Sequence, residues 1–353
     1  MIDFYSKIKD TGNIFFSAWS IVSALSLVLE ATRGDTAKQI ASALYLSQDK
    51  NHRDSFGEIH KQLNEIRKGI EIREANALWI QKSYEIKQEF VEIAKRYYES
   101  HVEQVSFPDD EPKINRWLEK MTNNKIKNLI SGTNDLTRLV ITNAIYFKGR
   151  WSIPFKKSKT RIENFRVSKN KTVNVHMMKV DSSFSYAETE IVQILRLGYV
   201  EERFSMFVFL PKNDDLKRLE DSLTIQNLTN WIVSTSYQPV KVQIPRFVLQ
   251  VSYGLTNYLN QLGVSQAFGS DADFGNLSEE KISISDVIHK AFVEVNEEGT
   301  EASAATFMVI AGRRIEYVKK IFNADHPFIF VIQDKPTGLI LFMGKFEYPI
   351  QDK

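Results

Sequence analysis

The 353-residue chain has no cysteine, which excludes disulfides, thiol nucleophiles and cysteine-ligated metals at once. It has no marked excess of charge either. The 46 basic and 44 acidic residues leave a net +2, so neither nucleic acid nor an anionic membrane is expected as the main partner. Its 15 glycines include no G-x-G-x-x-G and no P-loop, and Phe346 follows Gly344-Lys345 where Ser or Thr would be needed. There is no G-x-S-x-G elbow, and the six histidines form no H-E-x-x-H. Asp271-x-Asp273 begins like a calcium loop, yet Gly275 comes one position early and no glutamate closes it. No enzyme activity, metal or cofactor is therefore expected, although scattered Ser, His and Asp side chains can still converge in space.

Long apolar runs are scarce. Ile14 to Leu29 is uncharged but carries Ser17, Ser20, Ser23 and Ser26, and it falls short of the ~20 residues that span a bilayer. Lys7 and Lys9 precede it as in a secretory leader, but Asp3 and Asp10 spoil the basic segment and no small-x-small cleavage site follows cleanly. A buried helix with one serine-lined face is expected, and no cleavable signal is visible. That favours a cytoplasmic or non-classically exported protein, or an extracellular one whose leader has been removed. Two sequons, at Asn227 and Asn276, matter only for a secreted chain.

Hydrophobic content of 43% and charged content of 25% are those of a globular protein. The length admits two domains or one large one; the lack of repeats and linkers argues for one continuous domain over residues 1–353. Helical spacing predicts a helix from Gly34, another over Tyr84 to Tyr98 and a third over Ile114 to Ile130. From about residue 138 β-branched and aromatic residues dominate. Leu139 to Phe147, Phe204 to Leu210, Val240 to Pro245 and Phe328 to Ile332 are predicted strands. Early helices and late strands imply an α+β fold around large antiparallel sheets.

Gly299 to Gly312 (GTEASAATFMVIAG) carries one charge, Glu301, between acidic Glu294, Glu297 and Glu298 and basic Arg313, Arg314, Lys319 and Lys320. As a strand, one face would be Thr300, Ala302, Ala304, Thr306, Met308 and Ile310; the other would carry Glu301, Ser303, Ala305, Phe307 and Val309. An ordinary buried strand or an Ala-rich helix fits the composition. So does a segment that must adopt two conformations.

Several motifs then occur in one order. They are Asn13-Ile-Phe-Phe-Ser17-Ala-Trp-Ser20, Asn143-Ala-Ile-Tyr-Phe-Lys-Gly149-x-Trp151, Val287-Ile-His289-Lys290, and Glu297-Glu298-Gly299-Thr300-Glu301-Ala302. Ala324-Asp-His-Pro327-Phe328 and Phe342-Met-Gly344-Lys345 complete the set. In this order the chain resembles a serpin from end to end, with Ala18 in place of the usual proline. The resemblance implies about nine helices, three sheets and an exposed reactive-centre loop at about residues 298–320. It also implies suicide inhibition of a serine protease without cofactor, by a monomer.

The family's usual spacing from the hinge glycine places the scissile bond at Arg313-Arg314, or after Arg314 if the register slips by one. Phe307, Met308, Val309, Ile310, Ala311 and Gly312 would form the bait, which resembles that of antithrombin and suits a trypsin-like protease. Glu297, Glu298, Gly299, Thr300, Glu301, Ala302, Ser303, Ala304 and Ala305 would form the hinge. Ser17, Ser20, Asn143 and His289 match the polar cluster beneath the opening strands. Trp151, Arg246 and Glu297 match the region of first loop entry, where an Arg246–Glu297 ion pair is expected. Heparin activation is not expected, because Lys61 to Lys68 mixes signs. A non-inhibitory carrier or chaperone of the same family is the alternative.

Overall fold

The computed structural model describes residues 1–47, 52–65, 67–299 and 319–349. Among these residues the helices are α1 (Ile2–Ile8), α2 (Ala18–Ala31), α3 (Gly34–Leu44), α4 (Arg53–Asn64), α5 (Gln88–Tyr98), α6 (Glu111–Met121), α7 (Leu216–Asp221), α8 (Ile225–Val233) and α9 (Thr256–Gln261). The early strands are β1 (Ile14–Phe16), β2 (Ile70–Gln81), β3 (His101–Val105), β4 (Leu139–Gly149), β5 (Arg161–Ser168), β6 (Lys171–Glu188) and β7 (Val192–Gly198). The later ones are β8 (Phe204–Pro211), β9 (Ser236–Pro245), β10 (Phe247–Gly254), β11 (Ile284–Val295), β12 (Lys320–Asn323), β13 (Phe328–Asp334) and β14 (Ile340–Phe346).

The strands form a five-stranded sheet, β10-β11-β4-β2-β3, and a nine-stranded one, β1-β14-β13-β8-β7-β6-β9-β12 with β5 on β6. Three sheets were implied. The second and third are continuous because the 18-residue β6 pairs with β5 near its start and with β7 at its end.

The serine-studded run splits as its chemistry requires. Ser17 caps α2, its side chain accepting from the Ser20 backbone N–H at 3.0 Å. Ala18 takes the first helical position, where proline would also be tolerated, so the departure from the motif leaves the helix start intact. Ser20, Ser23 and Ser26 are all buried, which makes α2 a central helix with only Ala18, Ile21 and Val22 partly exposed. The third predicted helix stops short: α6 ends at Met121, and Asn123, Asn124 and Asn128 lie at positive φ, a conformation asparagine tolerates. The second begins four residues late, at Gln88.

Strand β4 is buried on both faces, which explains its unbroken apolar run. Ile141, Ile145 and Phe147 join the main core with α2, whereas Val140, Ala144 and Tyr146 join a second core under α6.

Candidate functional site

The centre of the five-stranded sheet is a seam. β4 and β11 run parallel and pair directly, from Ile284 with Leu139 to Val293 with Phe147. Their outer neighbours, β2 and β10, pair antiparallel to them. A segment returning antiparallel from the end of β11 would therefore fit between β11 and β4 with antiparallel ladders on both sides.

Four side chains cross this seam in one row, Asn76 on β2, Asn143 on β4, His289 on β11 and Tyr253 on β10, each opposite the next in register. His289 Nδ1 bonds the Asn143 side-chain oxygen, and its Nε2 accepts from the Ser17 backbone N–H at 3.2 Å. Two facing partners, one acceptor and one donor, fix the neutral tautomer. Full burial reinforces it and pushes the imidazole down to about 3. The Asn143 amide donates to Ser20 O at 3.0 Å, to Ser20 Oγ at 2.6 Å and to the Asn76 oxygen. Ser17 Oγ donates to Leu341 O at 2.7 Å, tying the row to β14. The structure thus brings Ser17, Ser20, Asn143 and His289 together. Asn76 and Tyr253 were missed, although Asn76 interrupts the apolar stretch Ala75 to Ile80 on the residue parity that faces α2, a legible signal.

At the end of the seam β11 turns back on itself. Asn296 and Gly299 exchange backbone hydrogen bonds of 2.8 and 3.3 Å, and Gly299 bridges to Arg150 just past β4. Gly299 lies at φ +137°, and a Cβ there would come within 2.2 Å of Gly149 O. Only glycine fits. Trp151, stacked on Tyr199 at 4.5 Å, donates from its indole to Asn296 O at 3.0 Å and from its backbone to Glu298 O at 3.0 Å. Lys157 pairs with Glu298 at 2.6 Å.

The expected Arg246–Glu297 ion pair does not form. Glu297 is 4% exposed and accepts from Thr160 Oγ1 at 2.7 Å, whereas Arg246 is exposed and has no ion-pair partner among the described residues. Its side chain takes a hydroxyl as partner rather than a second ion that would also have to be desolvated.

Thr300, Glu301, Ala302, Ser303, Ala304 and Ala305, the bait Phe307 to Gly312, and Arg313 and Arg314 lie outside the described residues. Lys319 leads into β12, which pairs parallel with β9. Lys319 bonds Asp181 at 2.8 Å and Lys320 bonds Glu188 at 2.6 Å. Asn276 uses its amide nitrogen on Glu30 O and Thr32 O, at 3.0 and 3.1 Å, so that sequon is committed to internal bonds.

The Serpin (serine protease inhibitor) family profile matches residues 1–349. An uncharacterized serpin-like protein of Thermococcus kodakarensis is 39% identical over 98% of this chain and 83% of its own. Serpin48, a highly specific serpin of the insect Tenebrio molitor, has a solved structure that superposes with a TM-score of 0.90 at 30% identity, covering 99% of this chain and 96% of that one. Human thyroxine-binding globulin superposes with a TM-score of 0.91 at 27% identity, over 99% of this chain and 96% of its own. With its motifs in order, a parallel seam at the centre of the sheet and a turned-back glycine at its end, the chain belongs to the serpins, the serine protease inhibitor family, rather than to a family of enzymes.

Proposed function

We propose that this serpin is inhibitory, a single-domain monomer over residues 1–353 that traps a trypsin-like serine protease as a covalent acyl-enzyme at Arg313-Arg314. The protease serine attacks the Arg313 carbonyl, the Arg314 amine leaves, and an ester joins the two proteins. The arginine side chain suits an acidic specificity pocket. Thr300 to about Ala311 then enters between β4 and β11, a case of loop insertion. Twelve residues at ~3.3 Å each would carry the protease about 40 Å.

The observation that carries this reading is the hinge. Gly299 is already turned back at the end of the seam, so Thr300 is the next residue in line for the slot. Insertion exchanges one parallel ladder for two antiparallel ones, about a dozen extra hydrogen bonds at ~1 kcal/mol each. The uncut state is accordingly metastable, held by a barrier. Thr300, Ala302, Ser303, Ala304 and Ala305 are small enough to enter before water releases the ester.

Mixing with trypsin tests this. An SDS-resistant complex is expected, with a released peptide beginning at Arg314. Thr300→Arg should convert inhibitor to substrate, and an undiminished complex from that variant would contradict the mechanism. The likeness to thyroxine-binding globulin supports a carrier as the second reading, for which trypsin would cut without forming a complex.

A further inference from the structure

Beneath β2, next to the polar row, lies a second buried cluster that the motifs do not contain. Glu74 sits on β2 two residues before Asn76 and points to the same side. His60 of α4 is 1% exposed and places Nδ1 3.4 Å from Glu74 Oε2, while Ser23 Oγ of α2 lies 2.7 Å from His60 Nε2. Trp19 covers the imidazole at 5.0 Å and stacks on Phe56 of α4 at 5.3 Å. The order Ser, His, Glu is that of a hydrolase relay, but Ser23 is fully buried and no substrate carbonyl can reach it. Its chemistry is that of a tie between elements.

The topology shows which elements it ties. If β4 and β11 part, β2 must travel with β4, because the two share a ladder from Ile70–Gly149 to Ile80–Leu139. β10 and β11 stay with α2: the Phe15 backbone N–H of β1 donates to the Tyr253 hydroxyl at 3.3 Å, β1 runs into α2 through Ser17, and Ser17 holds His289. α4 is fixed to α2 through Trp19. Opening therefore shears β2 and β4 across the α2–α4 pair, and the Glu74–His60 contact crosses that boundary.

We propose that Glu74 and His60 are positioning residues for loop insertion, a buried latch that holds β2 on α4 and so keeps the Asn76–Asn143–His289 row closed until the hinge enters. The inference rests on the insertion reading above. A buried carboxylate pulled away from the imidazole that meets it at 3.4 Å loses a partner inside the core, which raises the barrier to opening without any contact to the loop. His60 and the neighbouring Ser20 and Asn76 hold the Glu74 carboxyl below its ordinary range despite its near-burial, so it is charged at neutral pH. Among the described residues the other groups around it bring no cation. α2 presents hydroxyls, β4 presents Asn143, Ile145 and Phe147, His289 is neutral, and Tyr98 of α5 donates to Glu30 at 3.1 Å.

The test uses the intact protein and a synthetic peptide of residues 300–311, whose entry between the strands is followed on native gels. Glu74→Gln and His60→Leu are expected to take up the peptide roughly tenfold faster than the wild type, the scale of a lost buried partner relieved in part by relaxation. His60→Gln, which keeps a donor, should stay within about twofold. The peptide-filled forms of all variants should melt together, because the latch is already broken there; a merely structural pair would lower both forms alike. Wild-type uptake rates in Glu74→Gln and His60→Leu, or an equal loss of melting temperature in the filled forms, would overturn the latch and leave insertion standing. Failure of the peptide to enter even the wild type would remove the insertion reading, and the latch with it.

Discussion

His289 and Asn143 face each other across the seam between β11 and β4, ring nitrogen to amide oxygen, with the Ser17 N–H closing the second ring nitrogen at 3.2 Å. A proton on Nε2 would meet that N–H head-on, so the neutral ring is part of the closed sheet.

This fixes the sign of a pH effect. The folded imidazole stays neutral down to about 3 against 6.5 in the unfolded chain, so within that window the unfolded state binds the extra proton. Stability falls as pH is lowered from 6.5 towards 3, at up to about 1.4 kcal/mol per unit from this group. Urea melts of His289→Gln and wild type from pH 7 to pH 4 should show a shallower slope for the variant. Equal slopes would contradict the assignment.

Asn143 serves three acceptors and one ring at once. Asn143→Leu should cost about 2–4 kcal/mol by orphaning buried partners. It should also speed conversion to an inserted, uncut form. Thermal melts and timed loss of trypsin-binding activity at 37 °C measure both.

Gly299 leaves no room for a side chain and sits at φ +137°. Gly299→Val should destabilise the uncut protein by about 1–3 kcal/mol and raise the number of inhibitor molecules consumed per protease trapped, since the hinge starts displaced. A titration of trypsin with unchanged stoichiometry would contradict the role of the preset turn.

On the far side of the bait, β12 is held by Lys320 on Glu188, a carboxylate that Lys320 and Lys212 bring down to about 2, and by Lys319 on Asp181. Under the proposed mechanism, insertion of an uncut loop would have to peel β12 away, whereas insertion of a cut loop would not. Glu188→Gln should therefore hasten spontaneous inactivation severalfold and leave the melting temperature of the nicked form unchanged. Because its folded pKa is depressed, this restraint is present above about pH 4.5 and weakens as pH falls towards 2.

Nicking itself supplies the broadest check. A gained ladder of about a dozen hydrogen bonds should raise the melting temperature by at least about 15 °C, at the few degrees per kcal/mol typical of larger domains. A nicked form that melts no higher would end the stored-energy account.

Local sequence determined a good deal of this. The N-cap at Ser17, the apolar run of β4 and the small residues after Gly299 are set by side chains a few positions apart, and the motif order carries the family. The tertiary structure decided the rest. Ser17 meets Leu341 across 324 positions, Asn143 meets Asn76 across 67, and Glu74 finds His60 only because β2 crosses α4. Those contacts depend on which strands become neighbours, which no local propensity encodes. For the same reason Arg246 and Glu297, paired on expectation, ended with different surroundings: one turned to solvent, the other was buried against the Thr160 hydroxyl.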